Sequence, residues 1–247
     1  MKETRSRDKK GRSAPRETVL AGCHVDPLLV GADREFLDCF PRKLIQDTGV
    51  LPLRRYGGFG LVVVRDDPSV VARLQRDSDI RLIGVPALNA FGIDLFLRYW
   101  SSAGTGNGTP PLWVSDSRKG YLRKLGGLLS LRGQVNPAGL LASLIVTSPL
   151  NRHCPLMVLK VNGEGQAIYL HGMGGLKVGV RFPGAWHDRV IAHLRHEFRL
   201  GGVTSSDGHL VECRGPEDHG LNDVTATVIP PLAGETFLLE PRGHHRS

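Results

Sequence analysis

Apolar residues recur along the chain with two periods, and the switch between them outlines the elements. Leu61 to Val64 is an unbroken, mostly β-branched apolar run, which reads as a buried strand. Asp67 then supplies a helix N-cap and Pro68 a first helical residue, and Val70, Val71 and Leu74 give the following helix an inward face. Ile80 to Val85 predicts a second strand. Ala87 to Trp100 predicts a helix whose stripe is Leu88, Phe91, Leu95 and Tyr99. Upstream, Asp33 caps a turn of helix through Asp38, with Phe36 and Leu37 as its apolar pair. Pro41 sits at a helix start, where its missing N–H costs nothing. Phe40 and Leu44, four apart, share one face, Gly49 stops the helix, and Pro52 ends the segment.

The second half changes texture. Asp116 or Ser117 caps a helix with the apolar stripe Tyr121, Leu122, Leu125, Leu128 and Leu129 and the cations Arg118, Lys119, Arg123 and Lys124. Asn136-Pro137 opens another apolar helix. Leu156 to Val161 and Gln166 to Leu170 flank Asn162-Gly163-Glu164-Gly165, a hairpin signal. Leu176 to Phe182 predicts a strand. His187 to Arg199 predicts a helix with Val190, Ile191, Leu194 and Phe198 inward. Short strands follow at His209–Cys213, Val224–Val228 and Thr236–Leu239. The inventory is α+β, helix-rich in its N-terminal part and strand-rich in its C-terminal part. Residues 101–111, rich in Gly, Ser, Thr and Pro, read as a linker. They separate an α/β region at 17–100 from an α+β region at 112–247.

Charge alters this picture at one end. The chain carries a net charge of +8. Residues 1–16 hold seven cations against Glu3 and Asp8, and so supply +5 of it. That stretch has no aromatics and no apolar period, and it reads as a disordered basic tail. Its Arg5, Arg7, Lys9, Lys10 and Arg12, together with Arg118, Lys119, Arg123 and Lys124, are the residues a nucleic-acid-binding reading would use. No apolar run reaches the ~18–20 residues of a membrane span. The four cysteines, Cys23, Cys39, Cys154 and Cys213, form no C-x-x-C pair and fit reduced thiols in an intracellular protein.

The usual catalytic signatures are missing. His187, His193 and His196 crowd one predicted helix, but their spacings do not match the i, i+4 pair of a zinc helix. Cys39 or Cys154 with His171 would be the pair of a thiol leader protease, without the loop-then-helix context a nucleophilic cysteine needs. Gly57 to Gly60 and Gly172 to Gly175 lack the Lys-Ser/Thr ending of a phosphate loop and read as turns. No metal or other cofactor is implied.

Phe40-Pro41-Arg42-Lys43-Leu44, with Pro52 downstream, resembles the minimal F-box pattern of polerovirus-type RNA-silencing suppressors. Val62-Val63-Val64-Arg65-Asp66-Asp67-Pro68 is similar to the Val-rich strand and Asp-Asp-Pro that can follow it there. Phe40 stands where leucine is usual, and Pro52 follows at a shorter interval. The resemblance implies a viral, non-enzymatic adaptor in the host cytoplasm or nucleus. Phe40, Pro41 and Leu44, supported by Pro52, would bind a host Skp-type linker of a cullin ubiquitin ligase, and another surface would engage Argonaute. A basic RNA- or DNA-binding regulator is the alternative.

Overall fold

A computed structural model describes residues 19–76, 78–102, 113–131, 134–148, 153–170, 175–200, 211–219, 221–229 and 235–242. The elements run β1 (His24–Val25), α1 (Pro27–Val30), α2 (Arg34–Asp38), α3 (Arg42–Thr48), β2 (Val50–Tyr56), β3 (Phe59–Val64), α4 (Ser69–Arg76), β4 (Arg81–Pro86) and α5 (Ala90–Ser102). They continue with α6 (Asp116–Leu129), β5 (Ser130–Leu131), β6 (Gln134–Val135), α7 (Pro137–Val146), β7 (Leu156–Val161), β8 (Glu164–Leu170), β9 (Leu176–Pro183), α8 (His187–Glu197), β10 (Val211–Arg214), β11 (Val224–Ile229) and β12 (Thr236–Pro241). The fold is α+β.

Two sheets organise it. The larger has seven strands in the order β1-β9-β8-β7-β12-β11-β10, every neighbouring pair antiparallel. The smaller has the order β2-β3-β4. There β2 and β3 form a hairpin, and β3 runs parallel to β4 across α4, the crossover that a parallel pair requires. β5 and β6 form a separate short ladder. The N-terminal part holds five helices, α1 to α5, beside four strands, and two of those strands, β1 and β2, were not among the sequence expectations.

Local chemistry explains most of the boundaries. Asn162 and Gly163, at φ 49° and 83°, make the two-residue turn between β7 and β8. Asp67 accepts the Ser69 N–H at 2.9 Å and starts α4. Gly49, at φ 64°, ends α3 in the left-handed conformation and donates its N–H to the Ile45 carbonyl. Pro52 does not end its segment. It lies buried inside β2 opposite Val62, beside a register shift between Pro52 and Arg54. A bulge is one of the few places where a strand tolerates proline.

The small sheet is covered on both faces, which is why Leu61 to Val64 is apolar at every position. Leu61 and Val63 face the main core, while Val62 and Val64 face a second cluster with Phe36, Val50, Val70, Val71 and Leu82. Each such burial stabilises the fold by about 1.5–3 kcal/mol. The main core draws on both sides of the expected linker, from Leu51 and Leu53 to Leu140, Tyr169 and Phe237. The Tyr56 hydroxyl meets Ser143 Oγ at 3.0 Å, and the Ser148 hydroxyl donates to the Leu29 carbonyl at 2.9 Å. Residues 101–102 continue α5, and the rest of that linker lies outside the described residues, as does the basic tail.

In α5 the buried apolar residues are Ile93, Phe96 and Leu97, while the expected Phe91 is 53% exposed. The helix is apolar on more than one side, so spacing alone did not fix the inward face. Leu128, expected in the stripe of α6, is likewise 70% exposed.

Helix α7 is buried all round and is capped by Asn136, whose Oδ1 accepts the Gly139 N–H at 3.2 Å. This cap fixes the other end of the amide. Asn136 Nδ2 then faces His193 Nε2 at 3.0 Å, a contact that suits a neutral imidazole accepting the bond. Burial pushes the His193 pKa below its usual value, against an upward pull from Glu197. Neutral His193 favours the fold above the unfolded pKa of about 6.5. That contribution is lost as pH falls from there through the lowered folded value. Wild type is therefore expected to lose more melting temperature than His193→Gln between neutral and mildly acidic pH. Parallel losses in the two proteins would refute this role.

Candidate partner-docking site

The segment Phe40–Thr48 links α2 to β2. The Phe40 N–H bonds back to the Leu37 carbonyl at 3.0 Å, and the Ile45 N–H bonds to the Pro41 carbonyl at 3.2 Å. Pro41 is the N-cap residue of α3 and is exposed. Ile45 alone of the helix is fully buried; Leu44 and Thr48 are half-buried, and Arg42, Lys43, Gln46 and Asp47 face solvent.

Two contacts hold this helix in place. The Arg42 guanidinium lies 4.3 Å over the Trp100 ring at the end of α5. Residues two apart sit about 200° apart around a helix, so this pin lies on the flank away from Leu44. On the other side, the half-buried Phe40 ring meets Phe36 edge-on, with centroids 5.4 Å apart at 81°. Phe36 in turn sits on Gly60 of β3, where an added Cβ would come within 2.3 Å of the ring. Phe40 and Leu44 are thus both half-buried at the start of a supported helix, but Phe40 precedes the extended Pro41 cap, so the two do not share a helical face as their spacing predicted. Pro52, the fourth residue of the expected site, is in the strand behind it and not on that surface. No sequence pattern pointed to Trp100, Phe36 or Gly60 as supports, since each reads as an ordinary helix or strand position.

The basic helix is arranged differently from the nucleic-acid expectation. Arg118 is 1% exposed; it donates to the Ser148 carbonyl at 2.7 Å and to Asp223 at 3.1 Å. The Lys119 ammonium sits 3.1 Å from Glu35, 3.0 Å from Asp116 and 3.9 Å from Asp33. Burial opposes its charge, but these carboxylates outweigh burial and hold its pKa above the ordinary value. Arg123 shares Glu35 at 3.1 Å. These cations tie α6 to α2 and to β11, which leaves Arg123 and Lys124 as the solvent-facing ones. Arg5, Arg7, Lys9, Lys10 and Arg12 lie outside the described residues.

Among the described residues no thiol is placed against a histidine base. Burial raises the Cys154 pKa, and it pushes Cys23 up to about 12. Both changes suppress the reactive thiolate. Cys39 is exposed and donates to the Glu35 carbonyl at 3.2 Å, whereas His171 lies outside the described residues. His187 is buried with Nδ1 3.2 Å from Asp188, and His193 bonds to Asn136. Among the described residues no group of His, Cys, Asp and Glu is placed to hold a metal ion, and no helix is long and apolar enough to cross a membrane. Gly57 and Gly58 form the tight turn between β2 and β3; Gly172 and Gly174 are outside the described residues.

No protein-family model and no curated protein matches the chain.

Proposed function

We propose that this protein is a viral suppressor of host RNA silencing that acts by binding rather than by catalysis. In this reading the α3 segment docks as an F-box-like helix onto a Skp-type linker protein and so brings a cullin ubiquitin ligase to Argonaute. The observation that carries the reading is the Phe40–Leu44 pair. It is apolar and half open, its entry is set by the exposed Pro41, and it is held from behind by Phe36 and from the far side by Trp100. A half-buried phenylalanine just before the proline cap and a half-buried leucine in the first turn of the helix offer apolar anchors of the kind that dock into a partner's groove. Pre-ordering by the two pins reduces the conformational entropy lost on docking.

Leu44→Ala tests it in the cell. Leu44 is half-buried, so its truncation costs the fold far less than the 2–5 kcal/mol typical of a core leucine. The variant is expected to accumulate normally, to leave Argonaute levels intact and to lose silencing suppression. Full suppression by a folded Leu44→Ala protein would sink the docking reading. The field would then pass to RNA binding by the basic tail with Arg123 and Lys124.

A further inference from the structure

Among the described residues, the helices that pack on the seven-stranded sheet lie on the face that joins the main core. Val158, Ala167 and Val180, directly paired across three strands, point into the core with Phe237 and Val228. The alternate residues form the opposite face. Val178, Ile168, Met157 and Leu238 stand side by side across β9, β8, β7 and β12 in one unbroken row. All four are half-buried, and none belongs to either core cluster. Leu159 and Ile229 extend the apolar area into the next row, on either side of Thr236. An antiparallel sheet that meets water on one side normally alternates apolar and polar positions. Here the second face also carries a contiguous apolar patch, bordered by Gln166, Thr225, Thr227 and Thr236, of the kind that marks an interaction surface.

We infer that this face is the contact between two copies of the chain, which stack sheet against sheet. Charge selects that occupant. The whole chain carries +8, so two copies repel across most approaches. On this face the register places Arg181 and Arg214 against Glu164 and Glu240, in balance and all at the margins. Arg181 and Glu164 already pair with each other at 3.4 Å. Two such faces meet without burying an unpaired charge at the centre, where an isolated ion would be most costly. Size sets how tight the contact is. Six strands spaced about 4.8 Å apart and three outward rows make a face of roughly 24 by 20 Å, and side-chain relief raises its accessible area above that projection. The projection of about 480 Å² falls below the ~800 Å² per partner of a standard interface and matches a weaker, reversible one. Stacked sheets pack about 10 Å apart with strands aligned to within roughly 30°.

Sedimentation equilibrium on the full chain at up to about 100 μM, a range that covers the micromolar affinities such areas can give, decides it. Wild type is expected to sediment as a dimer. Ile168→Asp, which places a carboxylate mid-row, is expected to sediment as a monomer with an unchanged far-ultraviolet circular dichroism spectrum. Met157→Lys provides the same reading should the aspartate variant fail to fold. A monomeric wild type at the highest concentration, or a folded row variant that remains dimeric, overturns the inference.

Discussion

Replacing Arg54 with methionine is expected to lower stability by about 3 kcal/mol or more, because the guanidinium answers three backbone carbonyls at once. Arg54 lies midway along the edge strand β2 and is fully buried. It donates to the Gly31 carbonyl at 2.5 Å, to the Leu53 carbonyl at 3.1 Å and to the Val30 carbonyl. It thereby closes the C-terminal end of α1, whose last carbonyls have no partner within the helix. Methionine fills similar space and strands the Gly31 and Val30 carbonyls at roughly 1–3 kcal/mol each, whereas the Leu53 carbonyl still accepts the Asp33 N–H at 2.8 Å. The loss is partly offset because a charge no longer has to be desolvated. Burial already pulls the Arg54 pKa down to about 10, which measures how unwelcome that charge is. At about 2–4 °C per kcal/mol for a chain of this size, thermal unfolding should shift down by roughly 6–12 °C or more. Arg54→Lys keeps the charge but loses the planar fork, so it should fall between the two. An Arg54→Met protein that melts with wild type would show that α1 is held by other means.

Phe36→Ala carries the second large effect and joins the fold to the proposed site. The ring is 1% exposed, sits on Gly60 and supports Phe40. Truncating a buried phenylalanine costs about 3–5 kcal/mol through lost burial and the cavity left behind. Because Phe40 loses its edge-on support, linker binding should weaken along with stability. Phe36→Leu separates the two consequences. It keeps most of the volume and much of the stability, but it removes the aromatic edge that orients Phe40. A Phe36→Leu protein that binds as tightly as wild type would mean that Phe40 is positioned without Phe36.

The sequence signals most easily read were those with local causes. Asn162-Gly163 supplied a turn, Asn136-Pro137 a capped helix start, Gly49 a helix stop, and the inward stripe of α8 followed helical period; all appear in the structure. What escaped depends on partners distant in sequence. Arg54 in β2 drew no expectation at all, because two of the carbonyls it bonds are 23 and 24 residues away. Arg118 looked like a phosphate contact because Asp223, its buried partner, lies 105 residues on. Pro52 looked like a terminator because a bulge that tolerates proline leaves no local mark. Leu-Met-Val-Leu-Lys-Val in β7 was legible as one strand of a hairpin, but not which of its two apolar faces joins the core. The Phe40–Leu44 spacing was legible, but the scaffold behind it was not: Trp100 reaches α3 from 58 positions downstream of Arg42.

The most direct test of the docking claim is the affinity of the purified chain for a plant Skp-type linker protein, wild type against Pro41→Ala/Leu44→Ala, with circular dichroism to confirm that both are folded. The account predicts measurable binding by wild type and its loss in the double variant. Absence of binding by the folded wild type, or equal binding by both proteins, would contradict it and return α3 to the role of an ordinary surface helix.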